Sequence, residues 1–206
     1  MPVTSCYTGH LELKPCLAYF TRTMSTFKTT RLGIPVMLVF AGLFGCTGAP
    51  EGVTPVTGFE LQKYLGTWHE IARLDHRFER GLSQVTADYS MRPDGTVKVV
   101  NRGFNATSGE WKEATGKARF TGDSDIGQLK VSLFGPFYGG YNIIALDKDA
   151  YQYSLVAGPD SDYLWLLSRT PQMHPATVDA LVGIAADLGF ATDDLILVDQ
   201  QPRAQE

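Results

Sequence analysis

Between residues 68 and 169 apolar and polar positions alternate with a period of two, in runs broken by Gly, Pro, Asn and Asp. In 84–91, for example, Val85, Ala87 and Tyr89 share one face, while Thr86, Asp88 and Ser90 share the other. The pattern predicts strands over 68–74, 84–91, 96–104, 111–121, 128–134, 141–147, 151–157 and 163–169. Arg92-Pro93-Asp94-Gly95 reads as a turn, because Gly95 can take a positive φ. The period changes in 175–188, where Val178, Leu181, Val182, Ala185 and Leu188 recur at three and four and predict a one-faced helix. Pro175 suits its first turn and Gly189 its end. A short apolar strand over 195–198 follows. Sequential antiparallel strands of this kind close into an up-and-down barrel, which removes both sheet edges. The expected fold is therefore all-β: an eight-stranded antiparallel up-and-down barrel, a C-terminal α-helix packed outside it, and a short final strand. A two-sheet sandwich is the competing architecture.

The segment ahead of the strands has a different character. Residues 1–45 carry Lys14, Arg22, Lys28 and Arg31 against the single Glu12, so the acidic excess lies in the rest of the chain. From Met24, the cations Lys28 and Arg31 precede an apolar run at 32–44. That run is shorter than the roughly 20 residues a membrane-spanning helix needs, and it reads as an export signal over 24–45. Its end, Leu43-Phe44-Gly45-Cys46, resembles the lipobox of bacterial lipoproteins, in which the Cys is lipidated and becomes the first residue of the mature chain. Cys46 is the expected lipidation site. Residues 1–23 fit neither signal nor domain, and a start site placed too early accounts for them. Residues 46–57, rich in Gly, Pro and Thr, read as the lipidated Cys and a flexible tether. The domain is expected over 58–200, with 201–206 as a tail.

Composition narrows the chemistry. With 44% apolar and 19% charged residues the chain has the makeup of a folded globular protein, and its net charge of −4 argues against nucleic acid. The three cysteines are Cys6, Cys16 and Cys46, so the predicted domain holds neither a thiolate metal site nor a Cys nucleophile. No G-x-S-x-G, P-loop, G-x-G-x-x-G or H-E-x-x-H motif is present. No metal and no cofactor is expected. Asn105-Ala106-Thr107 matches a glycosylation sequon, which the bacterial lipobox makes irrelevant.

Three short motifs carry a family resemblance. Gly66-Thr67-Trp68 is similar to the G-x-W signature of the lipocalins. YNIIALDKD (141–149) resembles their T-D-Y region through Asp147, and LWLLSRTP (164–171) supplies their Arg at Arg169. DHRFERGL (75–82) and FGPFYGGYN (134–142) resemble the bacterial, lipid-anchored branch in particular. The resemblance spans about 58–200. It implies that Trp68 sits at the closed end of the barrel with Arg169 across its ring, a structural plug rather than a ligand site. A guanidinium over an indole contributes roughly 0.5–2 kcal/mol.

Strand parity then predicts what lines the interior. With Arg169 inward, Leu167, Trp165 and Tyr163 follow; with Trp68 inward, Glu70 and Ala72 follow. Outward Lys130, Lys117 and Arg119 turn Val131, Leu133, Ala118 and Phe120 inward. Tyr89, Tyr141, Ile143 and Ala145 complete the expected wall. Small and aromatic residues in that arrangement suit an apolar tail with one polar end. In the loop 75–81, at the barrel mouth in this family, Arg77 or Arg80 is a candidate for an anionic headgroup and Phe78 for a lid contact.

The resemblance implies a binding protein of the bacterial outer membrane, facing the periplasm. It would store or carry fatty acids or lysophospholipids, in envelope maintenance under stress. A homodimer is compatible with the family. Two rivals remain: an enzyme on the same barrel with Glu70 or the mouth residues acting on a lipid, and a haem or pigment carrier. The second needs an inward His, and the predicted cavity list holds none.

Overall fold

A computed structural model describes residues 47–133 and 135–201. Cys46, the expected signal at 24–45 and residues 1–23 lie outside the described residues. A four-residue helix α1 (Leu61–Tyr64) leads into β1 (Gly66–Arg73), β2 (Leu82–Met91), β3 (Val97–Asn105) and β4 (Glu110–Phe120). β5 (Gln128–Ser132), β6 (Gly139–Leu146), β7 (Tyr153–Ala157) and β8 (Leu164–Ser168) follow. Helix α2 (Pro175–Asp187) and the two-residue β9 (Ile196–Leu197) end the described chain. Each strand pairs antiparallel with the next, and β1 closes the circle by pairing with both β8 and β2. The result is the expected eight-stranded barrel, with one short strand added.

The closure has a seam. β1 pairs with β2 only over Gly66–His69; beyond that its partner is β9, at Ala72↔Leu197 and Arg73↔Ile196. Gln200 Nε2 donates to the carbonyls of Glu70 (2.7 Å) and Val85 (2.9 Å), stitching the two sides together.

There are two apolar cores. The inner one, toward the closed end, gathers Phe59, Tyr64, Trp68, Val97, Ala118, Leu129, Ile143 and Tyr151. The outer one lies between the barrel wall and α2, where Leu181 and Ala185 meet Ile71, Ala72, Leu155, Leu164 and Leu166. α2 starts where it does because His174 caps it, Nδ1 accepting from the Ala176 N–H, and Pro175 occupies its first turn. It stops at Gly189, whose φ of +85° suits a residue without Cβ.

Two expectations need correcting. Residues 48–57 are not a free tether. The Gly48 carbonyl accepts from Asn142 Nδ2 (3.1 Å), Val53 is buried in the outer core, and Val56 N–H donates to the Ile143 carbonyl (2.8 Å). Strand parity also slips twice. The register shifts between Glu70 and Ala72 and again between Ile143 and Ala145. Each bulge sends the following residue to the other face. Ala72 and Ala145 therefore face the outer core beneath α2, not the interior.

Candidate functional site

The closed end is built where the three motif regions converge. Arg169 Cζ lies 4.0 Å from the Trp68 ring centroid. The guanidinium donates to the carbonyls of Thr67 (3.0 Å), Lys63 (2.7 Å) and Tyr151 (3.2 Å). Trp68 Nε1 donates to the Tyr64 carbonyl at 2.8 Å. Gly66 has a φ of +93°, and a Cβ there would lie 3.4 Å from Arg169 Nη1. Only glycine takes that backbone without strain. Asp147 accepts from the N–H groups of Ala150 (3.3 Å) and Gln152 (3.2 Å), shaping the turn that presents Tyr151 to Arg169. Among the described residues, Trp68 is fully buried here and none of these plug residues lines the main cavity.

Above the plug stands a layer of tyrosines. Tyr141 Oη lies 2.8 Å from Tyr64 Oη and 2.9 Å from Tyr89 Oη, and Tyr64 Oη donates to Ser154 Oγ at 3.3 Å. Burial pushes the Tyr64 phenol up to about 12, and pushes Tyr89 and Tyr141 well above their ordinary value. All three stay protonated, and their hydroxyls are spent mainly on one another.

The cavity opens above this floor, with a volume of about 490 Å³. That lies within the ordinary range for small-molecule sites. Val85, Ala87, Val99, Val131, Leu133 and Leu167 supply apolar wall, and Glu70, Tyr89, Tyr141, Tyr163 and Trp165 also line it. Ala118, Phe120 and Ile143, expected in the cavity, are packed into the closed-end core instead. The barrel is filled up to the tyrosine layer, so inward-facing residues below it meet side chains rather than space.

The mouth loop behaves differently from its appearance in sequence. Arg77 and Phe78 line the opening, with the Arg77 guanidinium 5.0 Å from the Phe78 ring. Arg80 does not; it is exposed and forks onto Asp75, Nη2 to Oδ2 at 2.7 Å. His76 and Glu79 turn inward, correcting the expectation of a cavity without His. The bulge explains this. It swings Arg73 to the interior, where Nη2 donates to the Glu79 carbonyl (2.8 Å) and draws the loop over the wall. The charge pattern of 75–81 gave no sign of it; the spacing of His76 and Glu79 beside Phe78 was the available signal.

Inside the wall, Arg73 Nη1 meets Glu70 Oε1 at 2.6 Å, both side chains nearly inaccessible. Glu79 Oε2 accepts from Trp165 Nε1 at 3.0 Å and lies 3.0 Å from His76 Nε2. Burial, then the neighbouring Glu79 charge, raises the Glu70 carboxyl well above the usual range despite Arg73. Burial also pushes Glu79 up, but His76, Trp165 and Glu70 outweigh it and leave it lowered. The two neighbouring carboxyls are thus pushed in opposite directions, Glu70 toward its protonated form and Glu79 toward its ionised form. Asn101 also lines the cavity, its Oδ1 buried without a partner.

This closed barrel with a Trp–Arg plug and a single-mouthed interior defines a class. Residues 59–200 match the lipocalin-like domain, and the chain belongs to the lipocalin family. It is 55% identical over 159 residues to "Outer membrane lipoprotein Blc" of Vibrio cholerae, covering 77% of this chain and 93% of that one. The protein of the same name in Escherichia coli (strain K12) is 54% identical over 153 residues, covering 74% and 85%. Among solved structures, insecticyanin from the tobacco hornworm Manduca sexta superposes with a TM-score of 0.60 at 22% identity, covering 74% of this chain and 87% of that one. The chain is a bacterial lipocalin of the Blc branch, and both of these relatives are named as outer membrane lipoproteins.

Proposed function

We propose that the barrel holds one single-tailed lipid, a long-chain fatty acid or lysophospholipid, with the acyl chain inward and the headgroup at the mouth. The observation that carries this is the cavity itself: apolar walls, a floor whose hydroxyls already satisfy one another, and Arg77 at the rim. Cys46 is the acylated residue that anchors the chain. The cargo reading extends to storage or transfer of membrane lipids during envelope stress, supported by the outer-membrane lipoprotein names of the relatives. Binding without turnover is the reading we adopt, since Glu70 is engaged by Arg73 and Glu79. A haem-carrier reading gains no support from His76, whose Nε2 faces Glu79.

Titration of delipidated protein with fatty acids of increasing length tests the cargo. Each buried methylene contributes about 0.8 kcal/mol before ordering costs, so affinity should rise with length until the cavity is full. Trp165 fluorescence should saturate at one ligand per chain. Affinity independent of chain length would sink the proposal.

A further inference from the structure

We infer that the barrel stands mouth-down on the phospholipid surface that anchors it, with the rim in the headgroup layer, so that lipid passes between leaflet and cavity without crossing water. This rests on the reading of Cys46 as the acylated residue; it does not depend on which lipid is carried.

The position of the chain entering the domain carries the inference. Residues 48–59 form a strap down the outside of the barrel. Its lower end is pinned near the floor, where Val56 N–H donates to the Ile143 carbonyl and Phe59 enters the closed-end core. Its upper end is at the mouth. The Gly48 carbonyl accepts from Asn142 Nδ2, which also donates to the Gly158 carbonyl (2.9 Å), and Gly48 abuts Gly140, a residue of the cavity rim. Cys46 precedes Gly48 by two residues, which reach at most about 7 Å. The described chain thereby enters the domain beside the opening, at the end of the barrel far from the plug, two residues after the proposed anchor.

The rim is dressed for such a surface. Among the described residues Phe137 is the most exposed large apolar side chain, at 78%, and it belongs to the loop between β5 and β6 at the cavity mouth. Phe78, across the opening, is 47% exposed. Isolated exposed aromatics are ordinary, but two flanking one opening next to a lipid anchor match the aromatic preference for membrane interfaces. The closed end presents the charged turn Lys148 and Asp149 instead, both exposed. Charges around the mouth are mixed, with Arg77 and Asp160 both lining the cavity, so insertion of rings rather than attraction to anionic lipid drives the contact.

Processed protein purified from bacterial membranes, carrying either Phe137→Cys or Asp149→Cys, tests the orientation. Each is labelled with a fluorophore and reconstituted in phosphatidylethanolamine/phosphatidylglycerol vesicles containing a headgroup-level spin-labelled quencher. Quenching several-fold stronger at position 137 than at 149 is expected. Equal or reversed quenching overturns the orientation. Label stoichiometry reads the anchor separately: one label per chain means the Cys46 thiol is blocked. Two labels overturn the anchor and this docking with it, while leaving the cavity reading intact. As a second readout, Phe137→Ser should slow transfer of a bound fluorescent fatty acid to the same vesicles several-fold, and an unchanged rate overturns the role given to the rim.

Discussion

The carboxyl pair in the wall makes opposite demands on pH at two neighbouring residues. Glu70 is raised when folded, so its contribution to stability is complete below its unfolded pKa and is lost as pH rises through the folded value. Glu79 is lowered, so its contribution is present above its unfolded pKa and is lost as pH falls through the folded value. The two windows lie on either side of the ordinary carboxylate pKa of about 4.3. Glu70→Gln should therefore flatten the decline in wild-type stability that denaturant unfolding is expected to show as pH rises above the ordinary carboxylate value. An identical decline in both proteins would show that the Glu70 carboxyl is not the group raised on folding. Arg169 acts by contact rather than titration. Arg169→Ala removes donors from three carbonyls and the guanidinium from the Trp68 ring. A loss of about 2–3 kcal/mol is expected from hydrogen bonds made by a charged group. Thermal unfolding should shift down accordingly while ligand affinity per folded molecule stays the same; weakened binding at unchanged stability would make Arg169 a ligand residue.

At the scale of elements, the strands and helix were legible because each exposes one face and buries another, which is what a period of two or 3.6 records. The failures share one cause. Ile71 and Ala72 both pack into the outer core beneath α2 while Glu70 and Arg73 face the interior, so two consecutive apolar residues share one face and strict alternation carries no mark of the bulge. Ala145 on β6 sits under the same cover. The strap at 48–57 was misread because its Gly and Pro content describes flexibility only when no neighbour offers partners, and here Asn142 and Ile143 do. The plug was legible from Gly66, Trp68, Asp147 and Arg169, whereas His76 and Glu79 lie on a loop whose inward turn depends on Arg73. The outer layer invites a test of its own. Leu181 is 3% exposed between α2 and the wall. Leu181→Ala should cost about 2–5 kcal/mol, the usual range for a large-to-small core change, with chain-length selectivity unaltered. A variant that keeps its stability would mean α2 is not a structural cover.

For the whole molecule, the decisive question is where packed interior gives way to open space, because both are made of inward-facing small and aromatic residues. The tyrosine layer draws that boundary. Ala118 lies below it, 2% exposed in the inner core, while Ala87 lies above it and lines the cavity. The same substitution at the two positions should therefore fail in different ways. Ala118→Trp forces an indole into filled space, and overpacking of that kind costs typically about 1–3 kcal/mol or more. Ala87→Trp places the indole where a ligand would lie, so the fold should hold while the binding volume shrinks. Thermal denaturation with and without a saturating fatty acid separates the two. A ligand present at 100 times its dissociation constant stabilises wild type by about 2.7 kcal/mol, and that increment should vanish in Ala87→Trp at an unchanged ligand-free midpoint. Ala118→Trp should start from a lowered midpoint. If Ala87→Trp retained the full ligand-dependent shift, the bound chain would have to lie outside the barrel, and the rim rather than the interior would be the surface that recognises lipid.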